Sequence, residues 1–402
     1  MKILQINKFL YPKGGSETYL FQLSDALKEN GIEIAFWGMQ DELNIVKDQY
    51  NSFAKNINYK ESGFSKKITN PISTIYSVEN KKRITRILDQ FNPDLVHLHN
   101  YNFQLTPSIL PEIKKRGLKI IQTVHDSQMI CPYHRLYNFQ RNSTCTKCVT
   151  GSFINCIKDK CFDGSLIKSS LGAFESLYYH KMNFYEKYID HFIFPSKFLV
   201  DLVQKKINLN SYEVLPNFNK TILGIEKHAK EYYLYYGRIS KEKGILELID
   251  IFKNLKLKLV IIGDGELKED VLAIIKETDN IEYLGHKSNK ELFTYVSNAK
   301  YVIQPSIGFE NCPMTVIESF AYITPVIAAN HSGFKDLIRH KKTGYLLNFS
   351  NIDKIKQQLL EIDKLNPEDL SDNIKSEFKQ KFNKEVHISR ILNLYNSILN
   401  KK

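Results

Sequence analysis

Two glutamates with seven residues between them, Glu310 and Glu318, frame the segment Ser306-Ile307-Gly308-Phe309-Glu310-Asn311-Cys312-Pro313-Met314-Thr315-Val316-Ile317-Glu318. Pro313 suits the first position of a helix, which predicts Glu310 in the preceding loop and Glu318 about one and a half turns inside. The two acids then do different work. Amides near Met314 and Thr315 would face a phosphate, Glu310 would reach sugar hydroxyls, and Glu318 would accept hydrogen bonds from a ribose. A capped surface helix with two solvated acids is the plainer alternative. Upstream, Gly237-Arg238-Ile239-Ser240-Lys241-Glu242-Lys243-Gly244 sets an Arg and a Lys five residues apart where a strand gives way to a helix. A bidentate fork and a mobile point charge together can clamp a diphosphate and stabilise a departing nucleotide. A solvated Lys-rich turn competes with that reading, but only 8 of the 56 basic residues are Arg, so one at a strand end is less of an accident.

Further residues of chemical interest also follow expected strands. Gly14-Gly15 precedes a helix and would let backbone amides approach an anion, although any tight turn uses the same residues. His99-Asn100 and His125-Asp126 end two more strands, and a buried structural His is the rival for each. Five of the six cysteines fall within residues 131–161, while Cys312 stands alone. Cys145-x2-Cys148-x7-Cys156-x4-Cys161 could enclose tetrahedral zinc, structural rather than catalytic because four ligands leave no open position. Buried free thiols explain the set equally well, and Cys131 either packs or replaces one ligand.

The elements that must position these groups alternate between strand and helix. Ile3 to Ile6 reads as a strand, Phe9 to Gly15 as a loop, Ser16 to Asn30 as an amphipathic helix, and Ile32 to Phe36 as a strand. That unit demands a parallel sheet. Strands follow at Asp94 to Leu98, Lys119 to Val124 and Ile189 to Phe194, and Ser165 to Tyr188 reads as one long helix. Val214 to Phe218 looks like a crossover between lobes. The pattern then restarts with Tyr232 to Tyr236, a helix Ile245 to Phe252, Leu257 to Ile262 ending at Gly263-Asp264-Gly265, Tyr301 to Gln304, and Val326 to Ala328. From Pro367 to Lys402 the signal is mostly helical. Two doubly wound α/β lobes are the simplest architecture, with ligands expected at the carboxyl ends of the strands.

A chain of 402 residues with 43% hydrophobic and 25% charged content predicts two or three folded domains and excludes a disordered tail. No apolar run reaches the length of a spanning helix, and the opening residues are too short for a signal segment, so a cytoplasmic location is expected. The formal charge of +12 fits nucleic acid, an anionic membrane face or a phosphate-bearing substrate, or only a Lys-rich bias. Lys168, Lys181 and Lys187 with the aromatics of residues 165–188, and a second stretch of Lys66, Lys67, Lys81, Lys82, Arg83 and Arg86, would suit the inner face of the plasma membrane; core packing explains the aromatics as well. A nucleic-acid-binding protein is the alternative of a different class, but the basic residues are not interleaved with a recognised nucleic-acid module.

Taken in order, Gly14-Gly15, His125-Asp126, Gly237-Arg238 with Lys243, Gly263-Asp264-Gly265 and the Glu310/Glu318 pair resemble the family 4 retaining glycosyltransferases of GT-B architecture over nearly the whole chain. Similar Cys-rich insertions occur in members that build capsule and surface polysaccharides. The resemblance implies an acceptor-side Rossmann-like domain over residues 1–213 with an insert at 131–161. It implies a nucleotide-sugar-binding domain over 214–380, and a helix over 381–402 on either lobe. It further implies that Arg238 and Lys243 bind the donor phosphates, Glu318 the ribose and Glu310 the donor sugar. Gly15, Gly263, Met314 and Thr315 would join the donor side. His125 would lie near the reacting sugar, with Gly14, His99 and Asp126 on the acceptor side. The implied reaction transfers a sugar from a UDP- or GDP-type donor to a glycan or lipid-linked acceptor with retention and without a required cofactor, in the cleft between the lobes. Other GT-B enzymes, an epimerase or a phosphorylase, are the alternative. The chain departs from the family's Ala-x-Gly-x-Pro at Ala321-Tyr322-Ile323-Thr324-Pro325, where Ile323 replaces Gly, and it has Asp336 where Glu is frequent.

Overall fold

The computed structural model describes residues 1–56, 72–220 and 231–400; Lys66 and Lys67 lie outside them. Its strands, in chain order, are β1 (Lys2–Ile6), β2 (Glu33–Trp37), β3 (Leu95–Leu98), β4 (Lys119–Thr123), β5 (Tyr137–Asn138), β6 (Ser143–Thr144), β7 (His191–Phe194), β8 (Tyr212–Val214), β9 (Tyr232–Tyr236), β10 (Lys258–Ile262), β11 (Ile281–Tyr283), β12 (Tyr301–Gln304), β13 (Val326–Ala329) and β14 (Gly344–Leu347). They form two six-stranded sheets and the small antiparallel hairpin β5–β6.

The chain divides into two compact units. One comprises Met1–Arg135, Thr146–Leu215 and Ile388–Lys402, the other Leu136–Cys145 and Pro216–His387. The expected break at 213/214 therefore falls at 215/216, the hairpin leaves the first unit, and the last fifteen residues return to it. In the first unit the order β2-β1-β3-β4-β7-β8 is parallel throughout. Strand β3 is buried at every position, as a parallel strand covered on both faces must be. The helix Gly15–Glu29 lays Tyr19, Leu20, Leu23, Ala26 and Leu27 on the core, the spacing of one helical face. Tyr395 of the C-terminal helix reaches His97 Nδ1 at 2.6 Å.

In the second unit the order is β11-β10-β9-β12-β13-β14, again all parallel. Numbered within the unit this is 3-2-1-4-5-6, the dinucleotide-fold order, whose direction of winding reverses between β9 and β12. The first unit reverses between β1 and β3. Loops that diverge at such a point leave a crevice at the carboxyl ends of the strands, and these two crevices are where the candidate residues lie.

The long helix read at Ser165 to Tyr188 is two helices, Leu166–Lys181 and Phe184–Tyr188. Asn183, at φ +49°, breaks it; Asn tolerates the left-handed region better than most residues.

Candidate functional site

In the second unit, β9 is followed directly by Gly237 and β10 by Gly263, at φ +142° and +153°. A Cβ on Gly263 would stand 1.9 Å from the Gly237 carbonyl oxygen. The two strand ends touch backbone to backbone, and only glycine permits that approach. Arg238 follows directly, half-exposed, its guanidinium 3.7 Å from Glu242. The turn Lys241–Lys243 is tied to the loop after β12 by the Ile307 and Gly308 amides, which both donate to the Glu242 carbonyl, at 2.9 and 2.8 Å. That tie brings Lys243 Nζ to Glu310 Oε1 at 2.6 Å.

Glu310 is held from several sides. Ser306 Oγ donates to the same carboxylate oxygen at 2.8 Å, the Glu310 amide meets Ser332 Oγ at 3.1 Å, and the Gly333 amide donates to its carbonyl at 2.8 Å. His331 bridges the Ser306 carbonyl and Ser332 Oγ at 2.9 and 3.0 Å. Burial lowers the His331 pKa, so the ring acts as a neutral brace. Ser306, His331 and Ser332 are supports that sequence reasoning missed; His331 and Ser332 reach partners more than twenty residues away, at Ser306 and Glu310.

Pro313 is the residue before the helix Met314–Ala321 rather than its first residue, and it supplies no side-chain cap. Met314 and Thr315 are therefore the first two helical residues, where amides point outward and favour an anion. Glu318 lies at the fifth position and receives a hydrogen bond from Tyr236 Oη at 3.2 Å. Desolvation pushes its pKa up to about 7 despite that bond. Ile323, one turn on, has φ +59°, an uncomfortable region for a β-branched residue; this is the position where the sequence lacks the expected glycine.

The first unit's crevice has a different character. His99 Nδ1 meets His125 Nε2 at 2.9 Å, and His99 Nε2 meets Gln5 Oε1 at 2.8 Å. The two imidazoles are stacked, with Tyr19 edge-on to His125. Burial pushes the His125 pKa down to about 3 and that of His99 well below its ordinary value, so both rings are neutral. Asp126 accepts from the Gln128 amide at 2.8 Å, and burial raises its pKa. Gly14 precedes the Gly15–Glu29 helix with extended backbone, φ −171°; a Cβ there would make ordinary contact with Glu17. The conformation at Gly14 does not demand glycine. Glu175 was not singled out from sequence. It is 1% exposed, takes a hydrogen bond from Asn102 at 3.4 Å, and has its pKa pushed up to about 8 by desolvation.

The four-cysteine set Cys145, Cys148, Cys156 and Cys161 is not assembled. Cys145 belongs to the second unit and the other three to the first. Among the described residues no group of three or more His, Cys, Asp or Glu side chains is arranged to hold a metal ion. The Cys156 and Cys161 thiols instead hydrogen-bond one another, with Cys131 and Cys148 close enough to be felt. Cys148 and Cys156 pack with Phe153 and Ala173 in a small apolar cluster.

Two Rossmann-like lobes of parallel strands, one carrying a cation and carboxylate pair at its switch point, define a protein of GT-B architecture. The chain belongs to glycosyltransferase family 4. Residues 13–219 match the family described as Glycosyltransferase Family 4 and residues 221–381 that described as Glycosyl transferases group 1. It is 26% identical over 214 residues to an uncharacterized glycosyltransferase of Methanocaldococcus jannaschii, covering 52% of this chain and 60% of that protein. It is 34% identical over 144 residues to a Campylobacter jejuni N-acetylgalactosamine-N,N'-diacetylbacillosaminyl-diphospho-undecaprenol 4-alpha-N-acetylgalactosaminyltransferase, covering 34% and 39%. Against the Staphylococcus aureus capsular polysaccharide biosynthesis glycosyltransferase CapM it is 26% identical over 180 residues, covering 41% and 46%. These matches span between 39% and 60% of the relatives' own lengths. In fold the chain is similar to sucrose-phosphate synthase from Thermosynechococcus elongatus, at TM-score 0.72, 16% identity and full coverage of both chains. It also resembles Anabaena HepE in complex with UDP-glucose, at TM-score 0.67 and 14% identity, covering 99% and 100%.

Proposed function

We propose that this chain is a retaining glycosyltransferase that moves a sugar from a nucleoside-diphosphate sugar to a glycan or lipid-linked acceptor during surface-polysaccharide synthesis at the cytoplasmic face of a membrane. The observation that carries the reading is the Lys243–Glu310 pair at the switch point of the second unit, with Arg238 just past the end of β9 and Glu318 in the helix after the Glu310 loop. Arg238 and Lys243 neutralise the diphosphate as it departs. The Met314 and Thr315 amides add the helix-end field, Glu318 holds the ribose hydroxyls, and Glu310 holds the hydroxyls of the transferred sugar once its partner Lys243 engages phosphate. The anomeric carbon's bond to phosphate oxygen breaks, its bond to the acceptor oxygen forms on the same face, and the acceptor proton passes to the departing phosphate. Neutral His125 serves as a hydrogen-bonding group for the sugar rather than a cation, and Gly14, Gly15, His99 and Asp126 serve the acceptor side. No cofactor enters these steps. The UDP-glucose bound by HepE and the diphospho-undecaprenol in the name of the Campylobacter relative support the donor and acceptor classes.

The test is turnover of UDP- and GDP-sugars with and without lipid-diphosphate acceptors. We expect acceptor-dependent release of the nucleotide and at least about a 100-fold loss of kcat in Glu310→Ala with its melting temperature nearly kept. Wild-type kcat in that variant removes the assignment. Turnover that needs no acceptor points to the epimerase instead.

A further inference from the structure

The helix Leu166–Lys181 is amphipathic the wrong way round. Its buried side carries Ser169, Gly172, Ala173, Glu175, Ser176 and Tyr179. Its outward side carries Leu166, Ile167 and Phe174, which are 54%, 66% and 57% exposed, and Met182 just beyond its end is 51% exposed. A helix on a protein surface ordinarily shows the reverse. The inward choice has a local cause. A Cβ on Gly172 would stand 2.6 Å from the Phe162 ring, so the Cys-rich segment packs too close to admit a side chain at that position. Packing does not explain the outward choice. Ile167 and Phe174 are two helical turns apart and share one face, with half-buried Leu171 and Tyr178 between and beyond them. Ile154 of the neighbouring helix Ile154–Lys158 is 47% exposed. Of the thirteen large apolar side chains exposed among the described residues, five fall between 154 and 182.

The charges around this face are mostly lysines. Between residues 147 and 187 there are six, Lys147, Lys158, Lys160, Lys168, Lys181 and Lys187, against Asp159, Asp163, Glu186 and the buried Glu175. Lys147 is paired with Asp159 and Lys168 with Asp163, while Lys158, Lys160, Lys181 and Lys187 are exposed. Of the other basic stretch of the first unit, Lys81, Arg83 and Arg86 are committed internally. Lys81 pairs with Glu112, Arg83 binds Glu79 and the Phe53 carbonyl, and Arg86 binds the Asn51 carbonyl. Among the described residues no helix is long and apolar enough to cross a membrane.

We propose that the outward face of residues 166–182, with Ile154 and its exposed lysines, is a docking surface for an anionic lipid bilayer. Ile167, Phe174 and Met182 enter the acyl boundary, and Lys158, Lys160, Lys181 and Lys187 meet the headgroups, the division of labour of an interfacial helix. A protein partner would have to match this apolar face and also supply acids for the four exposed lysines, whereas an anionic bilayer offers both along one plane. The surface does not depend on the transfer reaction, so its failure and the failure of that reading are seen in different assays.

The experiment is flotation of the full chain with phosphatidylcholine vesicles, with and without about a third phosphatidylglycerol, at low and high salt. Its variants are Phe174→Asp with Ile167→Asp, and Lys158→Gln with Lys181→Gln. We expect binding to the anionic vesicles that weakens with salt, falls at least about tenfold in each variant pair, and leaves the melting temperature unchanged because the altered side chains are exposed. Absence of wild-type binding, equal binding to neutral vesicles, or undiminished binding of the aspartate pair would overturn the proposal. So would light scattering showing a wild-type dimer that the aspartate pair converts to monomer, which would assign the face to a second copy of the chain.

Discussion

The two crevices of this protein sit at equivalent places in two parallel sheets and are built from opposite materials. In the second unit the crevice is ionic and backbone-lined: two glycines let strand ends touch, and Lys243, Glu310 and Arg238 stand partly in solvent. In the first unit it is a buried stack of neutral imidazoles, and the same unit buries a carboxyl, Glu175, that desolvation keeps protonated into the neutral range. Fixed charges at a water-accessible switch point suit a diphosphate, whose own charge repays their desolvation. Neutral donors and acceptors in a dry pocket suit hydroxyl groups, because they bind without an ion to compensate.

The comparison is most severely tested at the glycines. Gly263→Ala forces a Cβ into the Gly237 carbonyl and should destabilise the second unit by about 3 kcal/mol or more, whereas Gly14→Ala should cost no more than about 1 kcal/mol, as a helix-cap effect. Calorimetry on both variants would check it, and equal losses would erase the distinction. Next in size is Glu175→Gln. The folded-state pKa of Glu175 is raised from the ordinary 4.5 to about 8, so the fold binds the proton more tightly than the unfolded chain. That stability is present in full below pH 4.5 and is lost as pH climbs towards 8. The variant should therefore flatten a decline of about 3 kcal/mol between pH 5 and 8; an unchanged pH slope in denaturant titrations refutes it.

Glu318 carries the comparison into ligand binding. With a pKa of about 7, its carboxylate fraction falls about tenfold between pH 8 and pH 6, and donor affinity should follow it down by up to that factor. Calorimetric titration with donor would show this, and Glu318→Gln should bind more weakly with no such slope. The smallest expected effect is at Ile323. Replacing it with glycine relieves the φ of +59° and should raise stability by about 1 kcal/mol. A melting temperature that falls instead would mean that the isoleucine's packing outweighs its strain.

Much of this protein was legible in its residues. The alternation of short apolar runs with amphipathic stretches determined two α/β lobes, because a parallel strand buried on both faces leaves a continuous apolar signature. The helix Ile245–Phe252 and the strands at Tyr232–Tyr236 and Tyr301–Gln304 fall where the pattern puts them. Strand-end positions picked out Arg238, Lys243, Glu310 and Glu318, since ligand groups in doubly wound sheets collect there. Tertiary structure decided what local sequence does not encode. It joined Ser306 to His331 and Ser332 around Glu310, assigned Cys145 to a different unit from Cys148, Cys156 and Cys161, and gave the last residues to the first unit. It also chose which side of residues 166–181 faces inward: periodicity defines a helix's faces, but only the neighbour that packs against it, here the Phe162 ring on Gly172, selects the one that is buried.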